Sequence, residues 1–264
     1  MVSVINWTKL RQKILIDTQR TEMYNPNYWD KDANTINENL THWDELTKKQ
    51  LQQLSLSSEL TVLDIGAGTG RLTLPIAKHV KHITALEPSE TMLTTLKNTA
   101  QKQQTFNISY INKSLEELTT TSYYDLIVAS FSLFMFDIKR ALMKIDTLAT
   151  KGVYFFMSAS PWMDEGVQKA INGPLSYWSD FIFIYNILYS LGISANVAIH
   201  DYELKQSYDD FELAVLKLAQ INNVSPKKKT ALQDYLRINL VEDNGKLWYN
   251  RKRKMATIWW NKNK

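Results

Sequence analysis

Thr61-Val62-Leu63-Asp64-Ile65-Gly66-Ala67-Gly68-Thr69-Gly70-Arg71-Leu72-Thr73 decides the fold of this chain. Thr61 to Ile65 is a short, β-branched, apolar run that reads as a strand. Three glycines at alternate positions end it. From Arg71 to Lys81 the apolar residues Leu72, Leu74, Ile76, Ala77 and Val80 recur at helical spacing. Strand, glycine turn and helix open a nucleotide-binding βαβ unit, in which glycine lets the backbone approach a ligand that a Cβ would block. A second strand, Ile83 to Leu86, runs into Glu87, 21 positions after Gly66. An acid at that distance and at a strand tip is placed to accept hydrogen bonds from the two hydroxyls of a ribose.

The spacing separates two cofactor classes. Dinucleotide folds use G-x-G-x-x-G and set a pyrophosphate over a helix N-terminus. Here the spacing is G-x-G-x-G, preceded by the acid Asp64. Asp64-Ile65-Gly66-Ala67-Gly68-Thr69-Gly70 resembles motif I of the class I S-adenosylmethionine-dependent methyltransferases. The resemblance is specific over about residues 60–160 and architectural outside them. It implies an α/β, Rossmann-like, seven-stranded, mostly parallel sheet with helices on both faces, plus a helical insertion and an N-terminal helical lid. It implies S-adenosyl-L-methionine as cofactor, contacted by Asp64, Gly66, Ala67, Gly68, Gly70, Glu87, Pro88, Met92, Ser114, Leu115 and Ser130. Met92 would pack on the adenine, or else be an ordinary core methionine. Ser114 stands where the family often carries an acid for the adenine amino group. A hydroxyl accepts more weakly than a carboxylate, which leaves the backbone N–H of Leu115 as the surer contact.

The resemblance divides the chain into an N-terminal helical segment and lid (1–58), a cofactor-binding core (59–160), a substrate-cover insertion (161–193) and a part completing the sheet (194–264). Within these, residues 4–20 and 39–56 read as helices. Tyr124 to Ala129 reads as strand 4, and open α/β sheets bind ligands at the carboxyl ends of such strands. The aromatic run Ser130 to Phe136 that follows would line a pocket or dock on the rest of the chain. Residues 160–193 read as two helices broken at Gly173-Pro174. Asn196 to Gln206 reads as strand 6, 211–221 and 227–240 as helices, and Met255 to Trp260 as a last strand, antiparallel between strands 5 and 6. Tyr28, Trp29, Phe131, Phe134, Trp162 and Trp178 are the candidate acceptor-binding residues. For each, plain packing is the alternative.

Other chemistries find little support. The chain of 264 residues has no cysteine, so disulfides, thiolate nucleophiles and zinc–thiolate sites are excluded. That fits a cytoplasmic protein. No apolar run approaches the length of about 20 residues that spans a bilayer, and the N-terminus lacks the core of a signal peptide. The four histidines, His42, His79, His82 and His200, do not cluster with acids, so no metal site is expected. No catalytic residue can be named: displacement at a sulfonium can run on proximity and orientation alone.

Net charge is +4 overall, but residues 225–264 hold 11 Lys/Arg against 3 Asp/Glu. The basic end Lys246 to Lys254, which interleaves charge with Trp248 and Tyr249, serves nucleic acid, with rings on bases and cations on phosphates, or it is a basic turn before the last strand. The turn is the favoured reading. The chain also lacks the Asn/Asp-Pro-Pro-Tyr/Trp signature of enzymes that methylate base amino groups. The expectation is therefore a methyltransferase for a small, flat or apolar acceptor, without nucleic-acid or membrane partners. The alternatives are an RNA or protein methyltransferase using the basic end, or a non-catalytic cofactor-binding module.

Overall fold

The computed structural model describes residues 5–17, 43–161, 163–173 and 180–262. Helices α1 (Trp7–Asp17) and α2 (Asp44–Gln53) precede β1 (Thr61–Ile65). Next come α3 (Thr73–Ala77), β2 (His82–Leu86), α4 (Glu90–Lys102), β3 (Ile108–Ile111), β4 (Tyr124–Ser130), α5 (Ile138–Leu148) and β5 (Ala149–Ser158). The chain continues through α6 (Glu165–Ala170), α7 (Asp180–Ser190), β6 (Asn196–Tyr208), α8 (Phe211–Ile221) and α9 (Lys229–Asn239) to β7 (Leu240–Asp243) and β8 (Lys246–Asn261).

The strands form one sheet in the order β3-β2-β1-β4-β5-β8-β6, with β7 paired to β8. Strands β1 to β5 pair in parallel, and β8 runs antiparallel between β5 and β6. Parallel strands covered on both faces read as continuous apolar runs, and Val62, Leu63, Asp64 and Ile65 of β1 are all buried. Successive side chains point to opposite faces. Leu63, Ile65, Ile127 and Ala129 meet α5 and α7 on one side, and Val62, Ile83, Val128 and Phe156 pack with Leu93 and Leu96 of α4 on the other. The spacing of Ile138, Ala141, Leu142, Ile145 and Leu148, all buried, sets α5 on its face.

The sheet has eight strands rather than seven, because β7 adds a short hairpin arm to β8. A larger departure lies in β8 itself. The last strand begins at Lys246, not Met255, and the basic run expected to be a turn is ladder-paired with β6 from Tyr208↔Leu247 to Asn196↔Trp259. Strand β5 pairs only as far as Ser158↔Met255. The outer half of the β6–β8 ribbon therefore projects past the carboxyl end of β5. A third cluster caps it, with Val167 of α6 and Ile171 just after it, Leu218 of α8, Leu236 of α9, Tyr208 and Tyr249. The aromatic insertion thus divides: α7 buries Phe183, Ile184, Ile187 and Leu188 against the main sheet and α1, while α6 joins the ribbon. No helix among the described residues is long and apolar enough to cross a membrane.

Candidate functional site

The glycine turn is pinned to the tip of β2. The N–H groups of Gly66 and Ala67 both donate to the Leu86 carbonyl, at 2.8 and 3.2 Å, and Gly70 N donates to Ala67 O at 3.0 Å. All three glycines have positive φ: +69° at Gly66, +57° at Gly68 and +95° at Gly70. Their surroundings differ. A Cβ on Gly66 would stand 2.3 Å from Cβ of Ser132, and one on Gly70 2.2 Å from Leu96 Cδ1. Those two glycines let the turn close on the protein itself. At Gly68 a Cβ would meet only Met92 Sδ, at 3.9 Å, so the backbone there faces open space.

Glu87 borders that space. It is 5% exposed, and its carboxylate accepts from Gly68 N at 2.8 Å through Oε2 and from Ser89 N at 2.9 Å through Oε1. The acid thereby ties the glycine turn to the start of α4. Ser89 caps α4, its hydroxyl accepting from Met92 N at 3.1 Å. Asn112 at the end of β3 donates to the carbonyls of Glu87 and Pro88 at 3.0 and 2.9 Å, fixing the strand tip from the other side. Beyond it, Ser114 and Glu117 exchange reciprocal bonds of 2.9 and 3.2 Å, so the Ser114 hydroxyl is engaged with its own turn. Met92 and Leu115 are both buried, at 5% and 2% exposure.

Asp64 lies beneath the turn. It is 2% exposed, accepts from Thr73 Oγ1 at 2.6 Å, and burial raises its pKa to about 6 against the pull of that bond and of Arg71. Arg71, the first residue after the glycines, reaches sideways. Its guanidinium donates to Thr47 Oγ1 and Gln50 Oε1 of α2, each at 2.8 Å, and to Ser130 Oγ at 2.7 Å. It also sits 5.3 Å over the Trp43 ring. Loss of hydration lowers its pKa to about 10, with Asp64 acting in the opposite sense. Sequence reading found Ser130 but not this arrangement, in which α2, the glycine turn and the end of β4 share one cation.

The run after β4 turns sharply. Phe131 has φ +54°, a strained conformation for a residue with a side chain. Its N–H bonds Phe156 O at 2.8 Å and its ring meets Trp43 edge-on at 5.9 Å. Leu133 and Met135 are buried and Phe134 is half-buried. Arg11 of α1, fully buried, holds the run down with donations to Leu133 O and Met135 O at 3.2 and 2.9 Å, and pairs with Asp180 of α7 at 2.8 Å. Nothing in the sequence flags Arg11, whose partners lie more than a hundred residues away. Tyr28, Trp29, Trp162 and Trp178 lie outside the described residues. Among the described residues no group of three or more His, Asp or Glu side chains could hold a metal ion.

A cofactor with a ribose and no phosphate suits this cradle, because one backbone position, Gly68, is left clear beside a buried carboxylate. Residues 62–152 match the model of a methyltransferase domain family. Over those residues the chain carries a methyltransferase domain of the kind found in class I methyltransferases. The methyl donor of these enzymes is S-adenosyl-L-methionine. An uncharacterized protein of Haemophilus influenzae is 29% identical to this methyltransferase over 264 residues, 97% of each chain. A 23S rRNA (uracil(1939)-C(5))-methyltransferase of Aliivibrio fischeri is 32% identical over 87 residues, which is 33% of this chain but only 19% of that one. The fold is similar to that of the YcgJ protein of Bacillus subtilis, with TM-score 0.54 and 16% identity, covering 83% of this chain and 98% of that one.

Proposed function

We propose that this methyltransferase acts on a small molecule bound at the carboxyl end of β4 and β5, beside the cofactor cradle. One observation carries the reading: Gly68 leaves its backbone clear beside the Glu87 carboxylate, and the end of β4 at Ser130 is tied to the same glycine turn through Arg71. S-adenosylmethionine supplies an electrophilic methyl group there. The chain's own contribution is to hold, orient and dry the site. Glu87 accepts from the ribose hydroxyls, Gly68 admits the cofactor, and Met92 and Leu115 border the adenine. Ser130, Phe131 and Phe134 border the acceptor. Displacement at a sulfonium needs no acid–base pair when the acceptor is already nucleophilic, so orientation is the main contribution.

The ribbon also weighs against an RNA acceptor. Strand alternation splits the basic run, sending Lys252 and Lys254 outward while Arg251 and Arg253 turn in. The outward lysines face acids: Lys254 pairs with Asp201 at 2.6 Å, and Lys252 stands opposite Glu203. That is not the continuous cationic strip that phosphate backbones need. The rRNA methyltransferase of Aliivibrio fischeri shares only a core segment with this chain, so its acceptor does not transfer with the likeness. The test is incubation with methyl-labelled S-adenosylmethionine and a cell extract, followed by separation. Label in the ultrafiltrate supports the reading. Label confined to RNA or protein, or none transferred, overturns it.

A further inference from the structure

The inner face of the β6–β8 ribbon presents hydrogen-bond donors that the protein leaves unmatched. Directly opposite residues of an antiparallel pair share a face, which sets Tyr202 with Arg253, Leu204 with Arg251 and Tyr208 with Leu247. Tyr208 is 4% exposed and its hydroxyl has no hydrogen-bond partner. Arg251 Nε is likewise buried without a partner, and among the described residues the one bond its guanidinium makes is a long one, 3.4 Å, to the neutral amide of Gln206. Among the described residues neither Arg251 nor Arg71 has a carboxylate within ion-pair distance: the hydrogen-bond partners of Arg71 are a threonine, a glutamine and a serine. Arg71, Arg251 and Arg253 all lie close enough to Tyr202 to act electrostatically on its phenol. They therefore form one patch that starts at the glycine turn and runs up the ribbon. Two acids act on this patch: Asp64, beneath Arg71 and bonded to Thr73 Oγ1 at 2.6 Å, and, further along the ribbon, Asp164, which is engaged by Val167 N at 2.9 Å and Tyr249 Oη at 3.0 Å. It lies near Arg253 and Tyr208.

Buried polar groups in folded proteins are nearly always paired, so two orphan donors on one face point to a ligand that accepts. Guanidinium groups held only by neutral partners favour a planar or tetrahedral oxyanion, which the arginine fork engages with two bonds. We propose that this face binds an oxyanion, carboxylate or phosphate, carried by the methyl acceptor, with Arg251 and Tyr208 as its direct donors and Arg71 as the cation nearest the cofactor. The inference rests on the small-molecule reading above and narrows it: the acceptor is anionic, whereas its aromatic surroundings had suggested an apolar one. The basic run thus serves the site through its arginines, and its lysines only solvate the outer face.

The test is calorimetry on protein loaded with S-adenosylhomocysteine, titrated with benzoate, phenyl phosphate and the neutral benzamide. Saturable binding of one of the two anions is expected, with benzamide silent, and the stronger anion identifies the oxyanion. Arg251→Met should weaken that binding about tenfold or more, the scale of a lost hydrogen bond to a charged group. Tyr208→Phe should weaken it severalfold, and Arg251→Lys, which keeps charge but not the fork, should fall between wild type and Arg251→Met. Lys252→Met on the outer face should change nothing. If S-adenosylhomocysteine binds but neither anion does, or if all the variants bind the anion like wild type, the inference is wrong. Failure of wild-type protein to bind S-adenosylhomocysteine would overturn the methyltransferase reading and this inference with it.

Discussion

Replacing Arg11 by methionine should be among the most damaging single changes outside the cofactor cradle. The guanidinium is fully buried and, among the described residues, donates two bonds to the Asp180 carboxylate at 2.8 and 3.0 Å and one each to the carbonyls of Met135 and Leu133. Methionine keeps most of the aliphatic packing of the arginine stem. What it loses is polar. Two carbonyls of buried residues lose a donor, at about 1–3 kcal/mol for each group left unsatisfied. The Asp180 side chain is 24% exposed, so part of its charge can return to water. Breaking a buried pair costs about 3–5 kcal/mol, and partial rehydration of Asp180 places the expected loss near 3 kcal/mol. Urea denaturation should show it as a lower midpoint at unchanged slope. Adding Asp180→Asn should recover part of the loss by removing the stranded charge, and the two changes together should be less than additive. A loss below about 1 kcal/mol, the scale of an exposed pair, would refute the view that α1 and α7 are locked through the run that follows β4.

The glycines should separate by role. Gly66→Ala drives a Cβ to 2.3 Å from Ser132 and should destabilise the fold by several kcal/mol, as overpacking and left-handed strain combine. Gly68→Ala meets nothing closer than 3.9 Å and should cost only about 1–2 kcal/mol of left-handed strain, while weakening S-adenosylhomocysteine binding; urea titration and calorimetry would expose the reverse order. Asp64 should shape the acid limb of stability. Its pKa rises from 3.8 to about 6 on folding, so between those values the folded chain keeps a proton that the unfolded chain releases. Stability from this group is then greatest below about pH 4 and falls by about 3 kcal/mol as pH rises through 6. Asp64→Asn should lack that slope, and parallel stability–pH curves for the two proteins would contradict the assignment.

Local chemistry made the centre of the molecule legible. The β1 turn, the Ser89 cap and the distance from Gly66 to Glu87 depend on residues near one another in the chain, and each carries its own signature. Helix α5 follows from spacing alone. The β6–β8 ribbon was opaque for the opposite reason. Lys246 to Lys254 is rich in charge, which masks a strand pattern. Only its pairing with β6, some fifty residues away, shows that Arg251 and Arg253 alternate with Lys252 and Lys254 across a sheet. Arg71 was quoted with its motif yet unread, because its partners come from α2, whose Gln50 lies 21 positions earlier, and from Ser130, 59 positions later. Polar contacts of that range have no periodicity to betray them.

The account turns on Glu87 and Gly68 as the cofactor cradle, and calorimetry with S-adenosylhomocysteine tests it most directly. Wild-type protein should bind one equivalent. Glu87→Ala should weaken that binding by about 1.5–3 kcal/mol, the range for hydrogen bonds to a charged group, with Glu87→Gln falling between them. No binding by wild type, or equal affinity in Glu87→Ala, would contradict it.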